Sequence, residues 1–205
     1  MTLSTNKQVV LATGNPGKVS EMQRELQSFG FEVLPQSQFE ISEAIEDGLS
    51  FVENAIIKAR HACKHTGLPT IADDSGLEVD ALLGAPGIYS SRYADDLPEA
   101  QQGDGANNKK LLGALEGQEN RKARFQCVIV YMQHELDPTP IICQGTWEGE
   151  IAQSIHGENG FGYDPLFLIP ELGVCSAELS PDEKKRRSHR GHALEQLKAA
   201  LQSKQ

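Results

Sequence analysis

The residues Val9-Val10-Leu11-Ala12-Thr13-Gly14-Asn15-Pro16-Gly17-Lys18 decide the fold class of this chain. The first four form an apolar run that opens with two β-branched residues, which predicts a strand, and the glycines after them predict a tight loop. Residues 18–29 then carry apolar side chains at helical spacing, and residues 31–34 form a second apolar run. This order predicts a βαβ unit, the building block of an α/β protein.

Two helices farther along the chain have clear start signals. Ser50 and Glu53 form a capping box, and the helix that follows is expected to bury the face opposite Asn54, Lys58 and His61. Residues 180–183 combine a capping serine, a proline and a glutamate, which predicts one last helix that continues through an apolar stripe to residue 201. A shorter helix is predicted at residues 107–115.

Strand patterns dominate the middle of the sequence. Residues 70–72 form a short apolar run that leads directly into the acidic pair Asp73 and Asp74. Residues 123–132, 141–147 and 150–153 have the composition and alternation of strands, and we expect antiparallel pairing among them. Carboxylates at the end of a strand are well placed for a site, since ligands of open α/β sheets bind beyond strand C-termini.

Composition limits the classes of function. The 205 residues are 39% hydrophobic, enough for one sizeable core, and the formal net charge of −10 opposes binding to nucleic acid or anionic lipid. The four cysteines show neither zinc spacing nor a redox pair, so we expect reduced core thiols. Neither a signal segment nor a membrane span is predicted, and a cytoplasmic location follows by elimination.

The loop at residues 13–18 has the elements of a phosphate-binding loop: two glycines, a helix N-terminus and Lys18. It is not a Walker A loop, because only Asn15 and Pro16 separate its glycines and Val19 follows the lysine. An ordinary strand-to-helix turn with a surface lysine is the alternative interpretation.

Asp73 and Asp74 are candidate metal ligands. Adjacent residues of an extended chain point to opposite sides, so only one of the two easily faces a given site. Mg²⁺ prefers carboxylate oxygens and keeps several waters, so one aspartate with a partner such as Glu46 suffices. A turn-forming pair that caps the next helix is the alternative.

Two segments nearer the C-terminus complete the candidate site. Residues 159–165 place two aromatic side chains and Asp164 in a glycine-rich loop, where a purine can stack; a turn with buried rings is the alternative. Residues 188–190 follow the basic run at residues 184–187, and such a run is usually a solvent-exposed helix face rather than a phosphate-binding site.

Taken together, six blocks of the sequence resemble the inosine/xanthosine triphosphate pyrophosphatases, also called RdgB-like proteins. The resemblance covers nearly the whole chain, and the blocks occur in the order of the family. They are Ala12-Thr13-Gly14-Asn15-Pro16-Gly17-Lys18, Phe51-Val52-Glu53-Asn54-Ala55 with Lys58-Ala59, Ala72-Asp73-Asp74-Ser75-Gly76-Leu77, Gly84-Ala85-Pro86-Gly87, Phe161-Gly162-Tyr163-Asp164-Pro165 and Ser188-His189-Arg190-Gly191.

The resemblance implies an enzyme that hydrolyses ITP, dITP and XTP to the monophosphate and pyrophosphate, and so removes deaminated purines from the nucleotide pool. It also implies an elongated α/β fold with a mixed sheet and flanking helices, in which two lobes of a single domain, residues 1–205, surround a central cleft. A homodimer and a Mg²⁺ cofactor are implied as well, with no nucleic acid or membrane partner.

Residue roles are carried over by motif. Asp74 is expected to bind metal and accept the proton of the attacking water, and Glu46 to bind metal, with Glu43, Asp47 and Asp73 as open alternatives. The residues expected to bind substrate are Thr13, Gly14, Asn15, Pro16, Gly17, Lys18, Lys58, Ser75, Phe161, Gly162, Tyr163, Asp164, Lys184, His189 and Arg190.

Two other functions stay open at this point. One is a nucleotide hydrolase that releases orthophosphate, which the products of ITP hydrolysis would reveal. The other is a non-catalytic nucleotide- or RNA-binding module that uses residues 184–190, although the net charge of −10 argues against it.

Overall fold

The computed structural model describes residues 7–98 and 102–203, and these residues contain a seven-stranded mixed sheet with helices around it. The strand order is β2-β1-β3-β4-β5-β6-β7. The strands are β1 (Lys7–Ala12), β2 (Phe31–Pro35), β3 (Thr70–Val79), β4 (Lys122–Met132), β5 (Ile141–Ile151), β6 (Phe167–Ile169) and β7 (Val174–Cys175). The predicted α/β class with a mixed sheet is therefore confirmed.

The helices are α1 (Pro16–Ser28), α2 (Phe51–Thr66), α3 (Asp104–Ala114), α4 (Pro181–Arg187) and α5 (His189–Ser203). None of the helices within the described residues has the length and apolar character needed to span a bilayer. The chain divides into two compact units. The first contains the described residues up to Asp74, Val128–Gln144 and those from Ala193 onward; the second contains those of Ser75–Cys127 and Gly145–His192.

The first unit opens with the predicted βαβ arrangement. Strand β1 pairs in parallel with β2, with Val9 opposite Val33, and with β3, with Leu11 opposite Ile71. Helix α1 begins after Asn15, whose side chain accepts a hydrogen bond from the amide of Lys18. The loop and the helix predicted from residues 9–29 thus form where expected.

Helix α2 begins with the predicted capping bond between Ser50 and Glu53 and covers this unit with small side chains. Ala55 and Ala59 are fully buried in a cluster with sheet residues, and their size permits close packing of the helix on the sheet. The prediction that Asn54 lies opposite the buried face is wrong. Its side chain is buried, and the cost of burying its amide oxygen is offset by a hydrogen bond that Oδ1 accepts from the amide of Gly48 at 2.9 Å.

Strand β3 is much longer than predicted. The expected strand ended at residue 72, but the observed strand runs to Val79, so Asp73 and Asp74 lie within it rather than beyond its end. Both side chains are buried. Lysine side chains pair with both carboxylates, which offsets the cost of removing two charges from water.

The second unit has its own apolar core, which includes Leu77, Leu111, Phe125, Trp147 and Phe167. The two strand segments predicted at residues 141–153 form the single strand β5. Strand β6 pairs antiparallel with both β5 and β7, and neither β6 nor β7 was predicted from the sequence.

The predicted last helix is divided in two at Ser188. The backbone of Ser188 is extended, its amide closes α4 on Lys184, and its Oγ accepts a hydrogen bond from the amide of Gly191. A Cβ at Gly191 would collide with the carbonyl oxygen of Lys185, so only glycine permits this close approach of α5 to α4. The break buries the side chain of His189 at the start of α5.

Candidate active site

Two groups of predicted site residues are assembled in the structure, one in each unit. The first, which we term the acid–lysine cluster, consists of Lys18, Glu46, Lys58, Asp73 and Asp74. Lys18 lies in the first turn of α1, Lys58 lies within α2, and the aspartates lie on β3. Tertiary packing of these elements therefore brings together residues that are far apart in the sequence.

Lys58 connects two of the carboxylates. Its Nζ lies 2.7 Å from Oδ1 of Asp74 and 3.0 Å from Oε2 of Glu46. Asp73 pairs instead with Lys18, at 3.2 Å between Oδ2 and Nζ. The two aspartates thus have different lysine partners, as the alternation of side chains along a strand requires.

Burial and charge shift the pKa values of two members of this cluster in the same direction. Burial lowers the pKa of Lys58, but the charges of Asp74, Asp73 and Glu46 together outweigh it, so the pKa lies above that of an ordinary lysine. Burial raises the pKa of Asp74, and Lys58 opposes this shift only in part. Lys58 is therefore cationic at neutral pH, and the carboxylate of Asp74 has a higher proton affinity than an exposed aspartate.

The loop at residues 13–18 uses several of its polar groups internally. Thr13 Oγ1 accepts from the amide of Asn15 at 3.2 Å, and Asn15 Oδ1 accepts from the amide of Lys18 at 3.1 Å. Pro16 has no amide hydrogen. Of the loop amides, those of Gly14 and Gly17 are consequently the ones best suited to an anion, and the side chain of Lys18 adds charge.

Glu43, an alternative metal ligand, lies against this loop. A Cβ at Gly14 would come within 2.6 Å of Oε1 of Glu43, so the carboxylate packs on the glycine itself. Alanine at this position would require the exposed end of the Glu43 side chain to move, which a flexible side chain can do.

The second group, which we term the base-loop group, is centred on Asp164 in the second unit. Its buried carboxylate accepts from Lys184 Nζ at 2.7 Å, from the amide of Phe161 at 2.8 Å and from Ser176 Oγ at 2.9 Å. Three donors around one carboxylate fix its position, so Asp164 holds both Lys184 and the backbone of Phe161.

Two cations approach the ring of Phe161. Lys184 Nζ lies 4.9 Å and Arg190 Cζ lies 5.9 Å from the ring centroid, within the range of cation–π attraction. Arg190 is almost fully buried, and its Nη2 donates to Ser75 Oγ at 3.0 Å. The neighbouring His189 stacks on Phe125, with centroids 4.8 Å apart and an interplanar angle of 16°.

Comparison with known proteins identifies the family. A model of the Ham1 family matches residues 9–200. The chain belongs to the Ham1 family. The match covers nearly all of the described residues and confirms the resemblance inferred from the six sequence blocks.

Individual Ham1 relatives align with this chain over almost their full lengths. A dITP/XTP pyrophosphatase of Vibrio parahaemolyticus serotype O3:K6 is 61% identical over 95% of this chain and 96% of that protein. One from Vibrio cholerae serotype O1 is 58% identical, over 96% and 97% of the two chains. The solved structure of a HAM1 protein from Coxiella burnetii has a TM-score of 0.88 and 50% identity, covering 96% of this chain and 99% of that chain. The Ham1 protein of Staphylococcus aureus has a TM-score of 0.85 and 40% identity, covering 97% and 100%.

The Ham1 structure corrects the role expected for Tyr163. Its ring was expected beside a purine, but only 4% of the residue is exposed, and it belongs to the apolar core. Its hydroxyl donates to the carbonyl of Ser90 at 2.8 Å. Burial raises the pKa of Tyr163, which keeps the hydroxyl protonated. Tyr163 therefore anchors the loop, and Phe161 is the aromatic residue of this loop that lies beside the cations.

The basic run at residues 184–187 also separates into two parts. Lys184 points to Asp164, whereas residues 185–187 are exposed on α4, as the surface interpretation predicted for that part. Asp164, in turn, receives one of its three protein donors from this lysine, so it holds Lys184 in place.

Sequence patterns did not single out three side chains that shape the base-loop group. Ser176 bonds Asp164, while Asp104 and Asn108 on α3 bond the backbone of Gly162. These contacts connect residues 12, 58 and 54 positions apart, and serine, aspartate and asparagine are common on any surface. No local spacing in the sequence signals them.

Proposed function

We propose that this Ham1 chain hydrolyses the purine nucleoside triphosphates ITP, dITP and XTP to the monophosphate and pyrophosphate. Relatives at 58–61% identity over nearly the full chain are dITP/XTP pyrophosphatases, which supports this substrate class. The observation that carries the proposal is the acid–lysine cluster. It combines carboxylates that can bind a metal ion and accept a proton from water with lysines that can bind phosphate. One of these lysines, Lys18, lies in the first turn of α1, where the loop at residues 13–18 ends.

Mg²⁺ is the proposed cofactor, with Glu46 and Asp74 as its protein ligands. Oxygens of both carboxylates lie within 3.0 Å of one positive atom, Lys58 Nζ, and this proximity supports a shared cation. Within residues 7–98 and 102–203, no group of three or more His, Cys, Asp and Glu side chains is arranged to hold a metal. In proteins, Mg²⁺ is usually bound by one or two carboxylates together with substrate phosphates. When bound, it would neutralise phosphate charge.

Asp74 is the proposed proton acceptor for the attacking water. A general base must be ionised and must lie within reach of the attacking water, and Asp74 belongs to the cluster whose lysines are proposed to hold the phosphates. Lys18 and Lys58 are proposed to neutralise phosphate oxygens, since both are held by carboxylates of the same cluster. Charge neutralisation and alignment of water account for most of the catalysis of phosphoryl transfer.

The base-loop group is proposed to bind the purine. The ring of Phe161 offers a stacking surface, while Lys184 and Arg190 supply donors for the 6-oxo group. The same donors would face the amino group of adenine and remain unsatisfied, which disfavours ATP. Asp164 serves this selection indirectly, by holding Lys184 in place.

We further propose that the enzyme acts as a cytoplasmic homodimer. The sequence resemblance to the pyrophosphatase family supports the dimer. Multi-angle light scattering of the purified protein tests it, and a mass of one chain, about 22.4 kDa, would contradict it.

The decisive experiment is product identification with ITP and Mg²⁺. Inosine monophosphate with pyrophosphate supports the proposal, whereas inosine diphosphate with orthophosphate contradicts it. Parallel rates with XTP, GTP and ATP, with and without a chelator, test purine selection and the metal requirement. Salt-sensitive RNA binding without triphosphate turnover would instead favour a binding module.

A further inference from the structure

The loop that carries Phe161 has glycine on both sides of the aromatic residue. Gly160 and Gly162 have positive φ values of 82° and 62°, a backbone region that other residues rarely adopt. Two flanking glycines leave the direction of the ring poorly determined by the local chain. Asp164 holds the Phe161 amide from within the loop, and contacts from outside it act on the other side, at Gly162.

Helix α3 supplies such contacts to both polar groups of Gly162. Asp104, the first residue of the helix, accepts from the Gly162 amide at 2.7 Å. Asn108, one turn farther along, donates from Nδ2 to the Gly162 carbonyl at 2.9 Å. Residues four positions apart lie on the same helix face, so one face of α3 holds the two peptide groups that flank Gly162, the first of which joins it to Phe161.

The two side chains differ in how exposed they are. Asn108 is buried, so its replacement would also disturb packing, whereas Asp104 is exposed at the start of α3. The bond from the Gly162 amide to a carboxylate is charge-assisted and short, which makes it the stronger of the two. Water can solvate both groups after its loss, so the global fold should tolerate that change.

We propose that Asp104 is a positioning residue for substrate binding, which orients the Phe161 ring beneath Lys184 and Arg190 by holding the Gly162 amide. This inference rests on the proposed function, in which the ring carries the purine. Asp104 does not touch the base, and it acts only through the loop. Its loss should therefore weaken substrate binding while the chemical step continues.

The test compares Asp104→Ala with Asp104→Asn and with Asp96→Ala. Asp96 is a matched control, because it is another exposed aspartate bonded to α3, through Lys110 at 2.7 Å, but does not contact the loop. Asp104→Ala should raise KM for ITP about tenfold and change kcat less than about twofold, as expected for one lost charge-assisted hydrogen bond. Asp104→Asn should recover much of the KM, because its amide oxygen still accepts.

Amide hydrogen exchange of Gly162, measured by NMR, gives a readout independent of turnover. Exchange should be faster in Asp104→Ala than in the wild type and unchanged in Asp96→Ala. The inference would be overturned if Asp104→Ala left either the exchange rate of the Gly162 amide or the KM for ITP unchanged. It would also be overturned if Asp96→Ala raised KM equally. If the wild type itself releases no inosine monophosphate and pyrophosphate, the proposed function fails, and the exchange rates still decide whether Asp104 holds the loop.

Discussion

The acid–lysine cluster and the base-loop group both place buried carboxylates beside lysines, but their carboxylates are bonded differently. Asp164 is held by three donors from a lysine, a serine and the backbone. Asp74 is bonded by Lys58, which it shares with Glu46, and its pKa is raised. A carboxylate surrounded by donors is suited to fix neighbouring groups, whereas one with raised proton affinity is suited to exchange a proton.

The largest expected effect follows from this difference at Asp74. Asp74→Asn preserves the shape of the side chain but removes the charge that accepts a proton, so kcat for ITP should fall by about 100-fold to 10,000-fold. The thermal midpoint should change little, because the wild-type carboxylate is buried at some cost. Steady-state kinetics and calorimetry provide the measurements. Near-normal turnover would show that Asp74 is not the base.

A smaller effect is expected at Arg190 in the base-loop group. Arg190→Lys keeps the charge but loses the planar fork that reaches Ser75 beside the Phe161 ring, so kcat/KM for ITP should fall at least about tenfold. The free energy of unfolding, measured by chemical denaturation, should fall by a smaller fraction than kcat/KM. Parallel losses of activity and stability would indicate a purely structural role, and the same comparison applies to His189→Ala.

A substitution at the corner between α4 and α5 should change the free energy of unfolding. Gly191→Ala places a methyl group against the carbonyl of Lys185, and we expect a loss of about 1–3 kcal/mol in the free energy of unfolding. Gly113→Ala is the matched control, because that helical glycine has open space around it, and alanine there should stabilise by up to about 1 kcal/mol. Urea titrations of both variants measure the difference. Equal effects would show that the close approach is unimportant.

The smallest effect concerns the buried thiols outside both groups. Burial raises the pKa of the Cys63 and Cys143 thiols. Burial, with help from the charge of Glu178, raises the pKa of Cys175 to about 11. These thiols should react slowly with Ellman's reagent at pH 8 until the protein is denatured. Because the folded pKa values exceed those of unfolded thiols, the free energy of unfolding should also fall as pH rises above about 9. Rapid labelling of the native protein would contradict the assigned burial.

The difference between the two regions also shows what sequence can predict. Local signals such as the Ser50–Glu53 capping box and the helical spacing of residues 18–29 gave correct elements, because they depend on neighbours in the chain. The motif blocks identified the family. The end of β3 was missed because Lys18 and Lys58, which make a buried acidic pair tolerable, lie 55 and 16 residues before Asp73 and Asp74.

The break at Ser188 was missed for a different reason. A serine within a helical pattern is weak evidence by itself, although serine is a favoured capping residue and Gly191 follows three positions later. The apolar stripe beyond it was predicted correctly at Leu194 and Leu197, which are buried. The roles of the individual site residues, the two-lobed domain and the homodimer stay predictions.

The enclosed carboxylate of Asp164 has a consequence for protein engineering. A designer who wishes to change nucleobase preference is drawn to an acidic residue in a base-binding loop. Here replacement of Asp164 by a residue that cannot accept hydrogen bonds would release Lys184, Ser176 and the Phe161 amide together, so the variant would lose the loop's shape before it gained a new preference. Libraries directed at Lys184 and Arg190, with Asp164 held constant, would retain the scaffold on which any altered selectivity depends.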